Sequence, residues 1–397
     1  MPDLAGPIAR YARRLHDVIG DGHHVASPLG AWLLLALACP ASTGDDRAML
    51  TEVLGCDADQ AARTAADLLT SPHPLVAAAA AVWSESGMVN AEWLAGLPAA
   101  VETGALPDQA GMDRWAREHT FGLIERFPIQ ADPDIYVILA SALATRVSWE
   151  CPFEVAPASA LGPASPWAKR LTRVLRAPRH PSHAQFIAAT PDAGAVAVHT
   201  ASARGGLLVA TVAAAAQVPA ADVLAAAHAL ATARATGGQV EQRSLFDLPL
   251  GDGPAWSVRE ETSGRGGGER CTAVLPAWSA DSKHDLSDPS LGFGAAARAI
   301  ARPDPWEAKQ AAMARYGRVG FEAAAVTALA VALSMRAPSR GRLRIADLRF
   351  AHPFAVVAVT VDEHHDRPGG VRTGPWHGIP VFSAWVTEPQ DAGDGPG

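Results

Sequence analysis

The chain has 397 residues, 49% of them hydrophobic and 19% charged, with a formal net charge of −8 and a pI near 5.9. This is the composition of a globular chain and excludes a disordered one, while an acidic balance without long Lys/Arg clusters argues against a nucleic-acid partner. The length suits one large core or two to three ordinary ones. Cys39, Cys56, Cys151 and Cys271 lie far apart with no CxxC pair, which disfavours a zinc ribbon or a disulfide framework and reads as four small buried residues. The first twenty residues contain no signal-peptide h-region, so the default expectation is cytoplasmic residence. The most apolar runs, 31–39 and 323–335, are well short of a bilayer span, so no membrane partner is expected.

In chain order, Ile8–Ile19 carries apolar residues at helical spacing, and Pro28–Cys39 follows Ser27 as a natural N-cap. Residues 45–55 and 112–127 repeat the helical pattern, with Gly55 and Pro128 as stop signals. From Tyr136 the pattern changes: YVILASALATRV, GLLVATVA at 206–213 and RCTAVLPAW at 270–278 read as strands. The Ala-rich AADVLAAAHALATARA reads as a helix, SGRGGGER at 263–270 as a linker, and 390–397 as a disordered tail. Helices and strands without strict alternation predict an α+β fold.

The chain contains no GxSxG, GxxxxGK[ST], HExxH or Ser-x-x-Lys motif, so no enzyme, metal or cofactor is expected. His180 and His183 form an H-x-x-H, but Pro181 between them argues for a polar loop over a metal site. The informative stretch is GFEAAAVTALAVALSM, Gly320–Met335, in which Leu329, Val331 and Leu333 alternate with alanines. A period of two suits a strand covered on both faces, whereas alanine favours a buried helix, and the residues alone leave both open.

Gly320, Phe321, Glu322, Ala323, Ala324, Ala325, Val326 and Thr327 resemble the hinge of the serpin family. Other blocks follow in family order: Ser27-Pro28 to Leu54-Gly55; Trp115, Thr120, Gly122 and Ile124; Trp149-Glu150-x-Pro152-Phe153; Leu275-Pro276-x-Trp278 to Asp285-Leu286; His352-Pro353-Phe354; and Val381-Phe382 to Pro389. The resemblance spans about 27 to 389. It implies one domain over 1–389, three β-sheets, eight to nine helices and an exposed loop within 318–347. It also implies a monomeric suicide substrate for a serine-type protease, trypsin-like or subtilisin-like, whose cleaved loop enters the central sheet of a metastable fold. Extracellular residence is a second possibility on the same ground. Counting forward from the hinge puts the scissile bond at Ser334-Met335 or Met335-Arg336; counting back from Phe350 puts it after Arg342.

Three departures from the family bear on that mechanism. Phe321 stands at the first inward-turning hinge position, usually Thr or Ser, so insertion must find room for a ring, and overpacking costs about 1–3 kcal/mol. The polar switch beneath the large sheet, expected from Ser27, Ser141, Trp149 and Gln310, has Ser141 and Gln310 where the family has Asn and His. The loop is also longer than usual. A non-inhibitory binding protein on the same scaffold is therefore the alternative expectation.

Overall fold

The computed structural model describes residues 4–132, 134–263, 267–301, 306–321, 341–366 and 370–393. Eight α-helices lie among them. Ser27 caps the helix Pro28–Ala38, its hydroxyl accepting the Gly30 N–H at 3.2 Å, and the helix Gly44–Leu54 stops at Gly55 with φ +69°. Ala5–Ile19 buries Ile8, Tyr11 and Leu15, and Ala220–Ala235 forms the expected helix. The helix expected over 112–127 runs Gln109–His119 instead. Phe121 and Gly122 adopt positive φ, and the Thr120 hydroxyl accepts the Ile124 N–H at 3.0 Å, so the chain leaves the helix well before Pro128.

The strands that frame the site are, in chain order, β1 (Val76–Ser84), β2 (Val137–Thr145), β3 (Val147–Ser148), β4 (Trp256–Ser263), β5 (Gly268–Leu275), β6 (Lys309–Tyr316), β7 (Gly320–Phe321) and β8 (Gly341–Arg349). The chain divides into two compact units, each drawn from three stretches. One comprises the residues up to Arg146, Ala280–Met313 and Ala358–Ser383. The other comprises Val147–Ser279, Ala314–Val357 and the residues from Ala384 onward.

In the first unit β1 pairs antiparallel with β2 at nine positions, and Val101–Gly104 runs parallel on the other edge of β1. The five consecutive alanines of β1 favour helix on local propensity. Tertiary packing overrides them: Trp83, Ile138 and Ala140 form one buried cluster with Met112 and Trp115 of the helix Gln109–His119, and the Trp83 and Trp115 rings meet edge to face at 5.2 Å. In the second unit Leu207–Ala213 pairs with Gly194–Ala203, which pairs with His183–Thr190. A six-stranded sheet has the order Gly251–Asp252, β4, β8, β5, Arg173–Arg176, Glu154–Pro157.

Five sheets are formed among the described residues where the resemblance implied three. β2 and the start of β6 are not joined by a ladder, and Glu363–Asp366 with Gly370–Thr373 makes a separate hairpin. The single strand expected over 270–278 is broken, β5 ending at Leu275 before Pro276. Residues 390–392, expected to belong to a frayed tail, are held in place. The Gln390 N–H donates to Ala277 O at 2.7 Å, the Asp391 carboxylate accepts the Thr172 and Arg173 N–H groups, and Ala392 is fully buried.

Candidate functional site

Within the first unit a cavity of about 570 Å³ runs between β2 and β6 and is lined mainly by apolar groups. Its walls take consecutive residues of both strands, 137–143 and 309–311, whereas a cavity against the face of a strand would take every second one. The cavity therefore meets both strands along their edges. Among the described residues those edges have no ladder partner, although β2 is fully paired with β1 on its other side. A covered cleft with two unpaired strand edges offers backbone donors and acceptors to one more strand.

One end of the lining is polar, and there Ser27, Ser141 and Gln310 come together. The Ser27 N–H donates to Gln310 Oε1 at 2.9 Å and Gln310 Nε2 returns a 2.9 Å bond to Ser27 O, so the side-chain amide pairs with this peptide as a neighbouring strand would. The Ser27 hydroxyl donates to Val381 O at 2.9 Å, and Ser141 Oγ donates to Gly30 O at 3.0 Å. A Cβ on Gly30 would lie 3.3 Å from Leu143 and from the Ser141 and Ser27 hydroxyls, so glycine lets these parts approach. Gly30 was not singled out in the sequence; its place in the first turn after Ser27-Pro28 was the only signal.

The fourth expected switch residue, Trp149, belongs to the second unit, where it holds the hinge. Its indole N–H donates to Gly317 O at 3.0 Å and its backbone N–H to Val319 O at 3.1 Å, while the Phe153 N–H donates to Arg318 O at 2.9 Å. Gly317 and Gly320 close a tight turn, and β7 pairs on both sides, Tyr316 with Phe321 and Gly320 and Phe321 with Ser148 and Val147. The first two hinge residues are thus already a strand. Phe321 is 4% exposed, its ring 6.3 Å from Trp278 and 6.4 Å from Tyr316, with Trp149 and Phe153 extending the aromatic group behind Tyr316. In this state the ring is accommodated, packed against the Trp278 and Tyr316 rings, which themselves stack with centroids 6.0 Å apart.

Beneath that group lie two buried histidines. His183 Nε2 meets the Cys151 carbonyl at 2.8 Å, and because a carbonyl only accepts, that nitrogen carries the proton. His183 Nδ1 must then accept from His199 Nε2, at 3.1 Å, which leaves His199 Nδ1 bare and buried without a partner. Burial holds the proton affinity of both rings below the ordinary histidine range, helped by nearby His180 for His183 and by His183 for His199. His180 bonds Ser182 at 2.8 Å instead of converging on a metal position with His183.

Arg342 lies within β8, paired with Thr262 of β4, and so does not stand on a free loop. The bond after it is not presented in the way the backward count required. Ser334, Met335 and Arg336, with Glu322, Ala323, Ala324, Ala325, Val326 and Thr327, lie outside the described residues.

No protein-family model matches the chain, and no curated protein matches it by sequence. Solved structures do match. The native state of the thermophilic serpin Tengpin superposes with a TM-score of 0.66 at 11% identity, covering 98% of this chain and 95% of that one. The chain has the serpin fold. Human glycosylated kallistatin matches with a TM-score of 0.63 at 16% identity over 98% of both chains. Human thyroxine-binding globulin complexed with thyroxine matches with a TM-score of 0.64 at 12% identity over 97% and 98%. The serpin fold thus accounts for the full length of the chain. No helix among the described residues is long and apolar enough to cross a membrane.

Proposed function

We propose that the protein inhibits a serine-type protease as a suicide substrate, its cleaved loop entering the cleft between β2 and β6. The observation that carries this reading is the pair of strand edges that have no ladder partner among the described residues and face an apolar cleft, together with hinge residues Gly320 and Phe321 already paired as strand. Once inserted as a strand continuing from Phe321, the segment would carry Ala323, Ala325, Thr327, Leu329, Val331 and Leu333 on one face. Each of Leu329, Val331 and Leu333 buried on insertion contributes roughly 1.5–3 kcal/mol, besides the new ladder. With Arg342 in β8, the reactive bond is assigned to Ser334-Met335 or Met335-Arg336. Met335 at the second of these bonds suits a subtilisin-like target, while Arg336 and Arg340 make the segment just beyond attractive to a trypsin-like one. Incubation with one protease of each kind tests this: a complex that survives SDS supports it, and clean cleavage with no adduct overturns it.

A second reading, a non-inhibitory binding protein, draws on the anchored Phe321 ring and on the thyroxine complex of one structural neighbour. Clean cleavage without a rise in thermal stability favours it.

A further inference from the structure

β4 and β5 are consecutive along the chain, separated only by residues 264–267. Neighbouring strands with so short a connection ordinarily pair with each other. Here they do not: β8, which follows the reactive loop, lies between them. β4 pairs antiparallel with β8 at eight positions, from Trp256 with Leu348 to Ser263 with Gly341. β5 pairs parallel with it at seven, from Gly268 with Leu343 to Val274 with Arg349. Gly267 lies against the first residues of β8, where an added Cβ would stand 2.8 Å from Arg342 O and 3.2 Å from Arg342 N. Only glycine fits at that approach, which gives Gly267 a purpose that its reading as part of a linker did not.

Side chains reinforce the pairing. Trp256, Val258, Ala346 and Leu348 are buried at paired positions, and the same row continues as an Arg344–Glu260 ion pair at 2.9 Å. Arg344 also donates to the carbonyls of Leu245 and Leu248, Arg349 to Ser257 at 2.8 Å, and Thr272 to Asp347 at 2.7 Å, while Arg259 pairs with Asp347. Without β4, β8 would be held along one edge; with it, β8 is held along both.

That difference acts on the loop. Phe321 and Gly341 are separated by nineteen residues, 322–340. In an intact loop every residue that enters a sheet takes up about 3.3 Å and must be matched by chain returning to Gly341. After roughly half the loop has entered, the remainder is fully stretched, and deeper entry must draw residues out of β8. We propose that β4 is a clasp that keeps the C-terminal tether of the loop in its sheet, so that the loop enters the cleft in full only once its reactive bond is cut. This rests on the insertion reading above. Cleavage removes the tether's role: the N-terminal part of the loop is then free to enter while β8 stays where it is.

The test uses the full-length, uncleaved protein. Arg259→Pro removes an N–H that faces β8, since the bond from the Arg349 N–H to Ala255 O turns the odd-numbered residues of β4 toward that strand, and Glu260→Ala removes the ion pair; the double variant, held just below its melting temperature, should convert to a more heat-stable uncleaved form at least tenfold faster than the parent. Intact mass excludes cleavage during the incubation. Where that variant fails to fold, Glu261→Cys with Leu343→Cys, directly opposed across β4 and β8, locks the clasp: oxidised protein should show no conversion and reduced protein should convert at the parent rate. Equal rates in clasped and unclasped protein overturn the clasp. Parent protein cut within the loop serves as the control. If it gains heat stability the insertion reading stands whatever the clasp does, and if it gains none that reading fails by itself.

Discussion

β6 and β8 border the same stretch of chain, one leading into the loop and the other leading out, yet their edges have opposite fates. The first part of β6 faces an apolar cleft with one edge unpaired among the described residues, and opposite it β2 is in the same condition. β8 is paired along both edges and crossed at its start by Gly267. A backbone edge left without partners in a covered place holds free energy that a new strand can release. A strand paired twice has nothing left to gain and two ladders to lose. Under the proposed insertion, the loop would join a region open to one more strand to a region that resists giving strand up, which is the asymmetry a one-way insertion needs.

The sharpest way to break this comparison is to cut the loop. Filling the cleft should raise the melting temperature by about 10 °C or more, from about 1.5–3 kcal/mol for each of three large side chains before the ladder is counted, as read by differential scanning calorimetry. An unchanged melting temperature would mean that the unpaired edges are not a receptor.

Acid comes next, because it weakens the first unit through a buried chain of groups. The carbonyl of Gly22 accepts from His24 Nδ1 at 2.9 Å, so His24 Nε2 accepts from His16 Nδ1 at 2.8 Å, and His16 Nε2 meets the Ser383 hydroxyl at 2.7 Å. A proton added to His24 would set two N–H groups against each other, and burial, with the nearby His284 and His23, pushes this ring down to about 4. The unfolded chain binds that proton near pH 6.5, so stability is full above about pH 6.5 and falls as the pH drops toward 4, by about 3 kcal/mol at the end of that window. Urea unfolding across pH 4–8 reads the slope, and His24→Gln should flatten it. His183 and His199, also held below the ordinary range, contribute in the same direction in the second unit.

Gln310→Ala removes both bonds to the Ser27 peptide at the polar end of the cleft, at a cost of about 1–3 kcal/mol in urea unfolding. Phe321→Thr has the smallest expected effect, about 1–2 kcal/mol. It removes the ring that packs against the stacked Trp278 and Tyr316 pair, so limited proteolysis should find the hinge more accessible and trapping no more efficient. A gain in trapping efficiency would restore the view that ring bulk limits insertion.

Much of the frame was legible before any coordinates. Ser27-Pro28 announced a capped helix and delivered it, Gly55 ended the next one, and the order of motif blocks pointed to the serpin fold that the solved structures support. Three of the four switch residues do converge, whereas Trp149 serves the hinge turn instead. The strand β4, with REET at its centre, was not legible, because its charged residues are satisfied by Arg344 and Asp347 far along the chain. Nor was β1, whose alanines favour a helix until Trp83 packs on Trp115.

By itself, then, the sequence determined the caps, the stops, the alternation of Leu329, Val331 and Leu333 with alanines and the family resemblance, because each is written in side chains close together or in a fixed order. Only the tertiary structure decided which strand edges are empty and which are doubly paired. Every residue except proline carries the same backbone donor and acceptor, so a ladder partner has no local signature. The open edges of β2 and β6 and the twice-held β8 come into being only when distant segments are brought side by side.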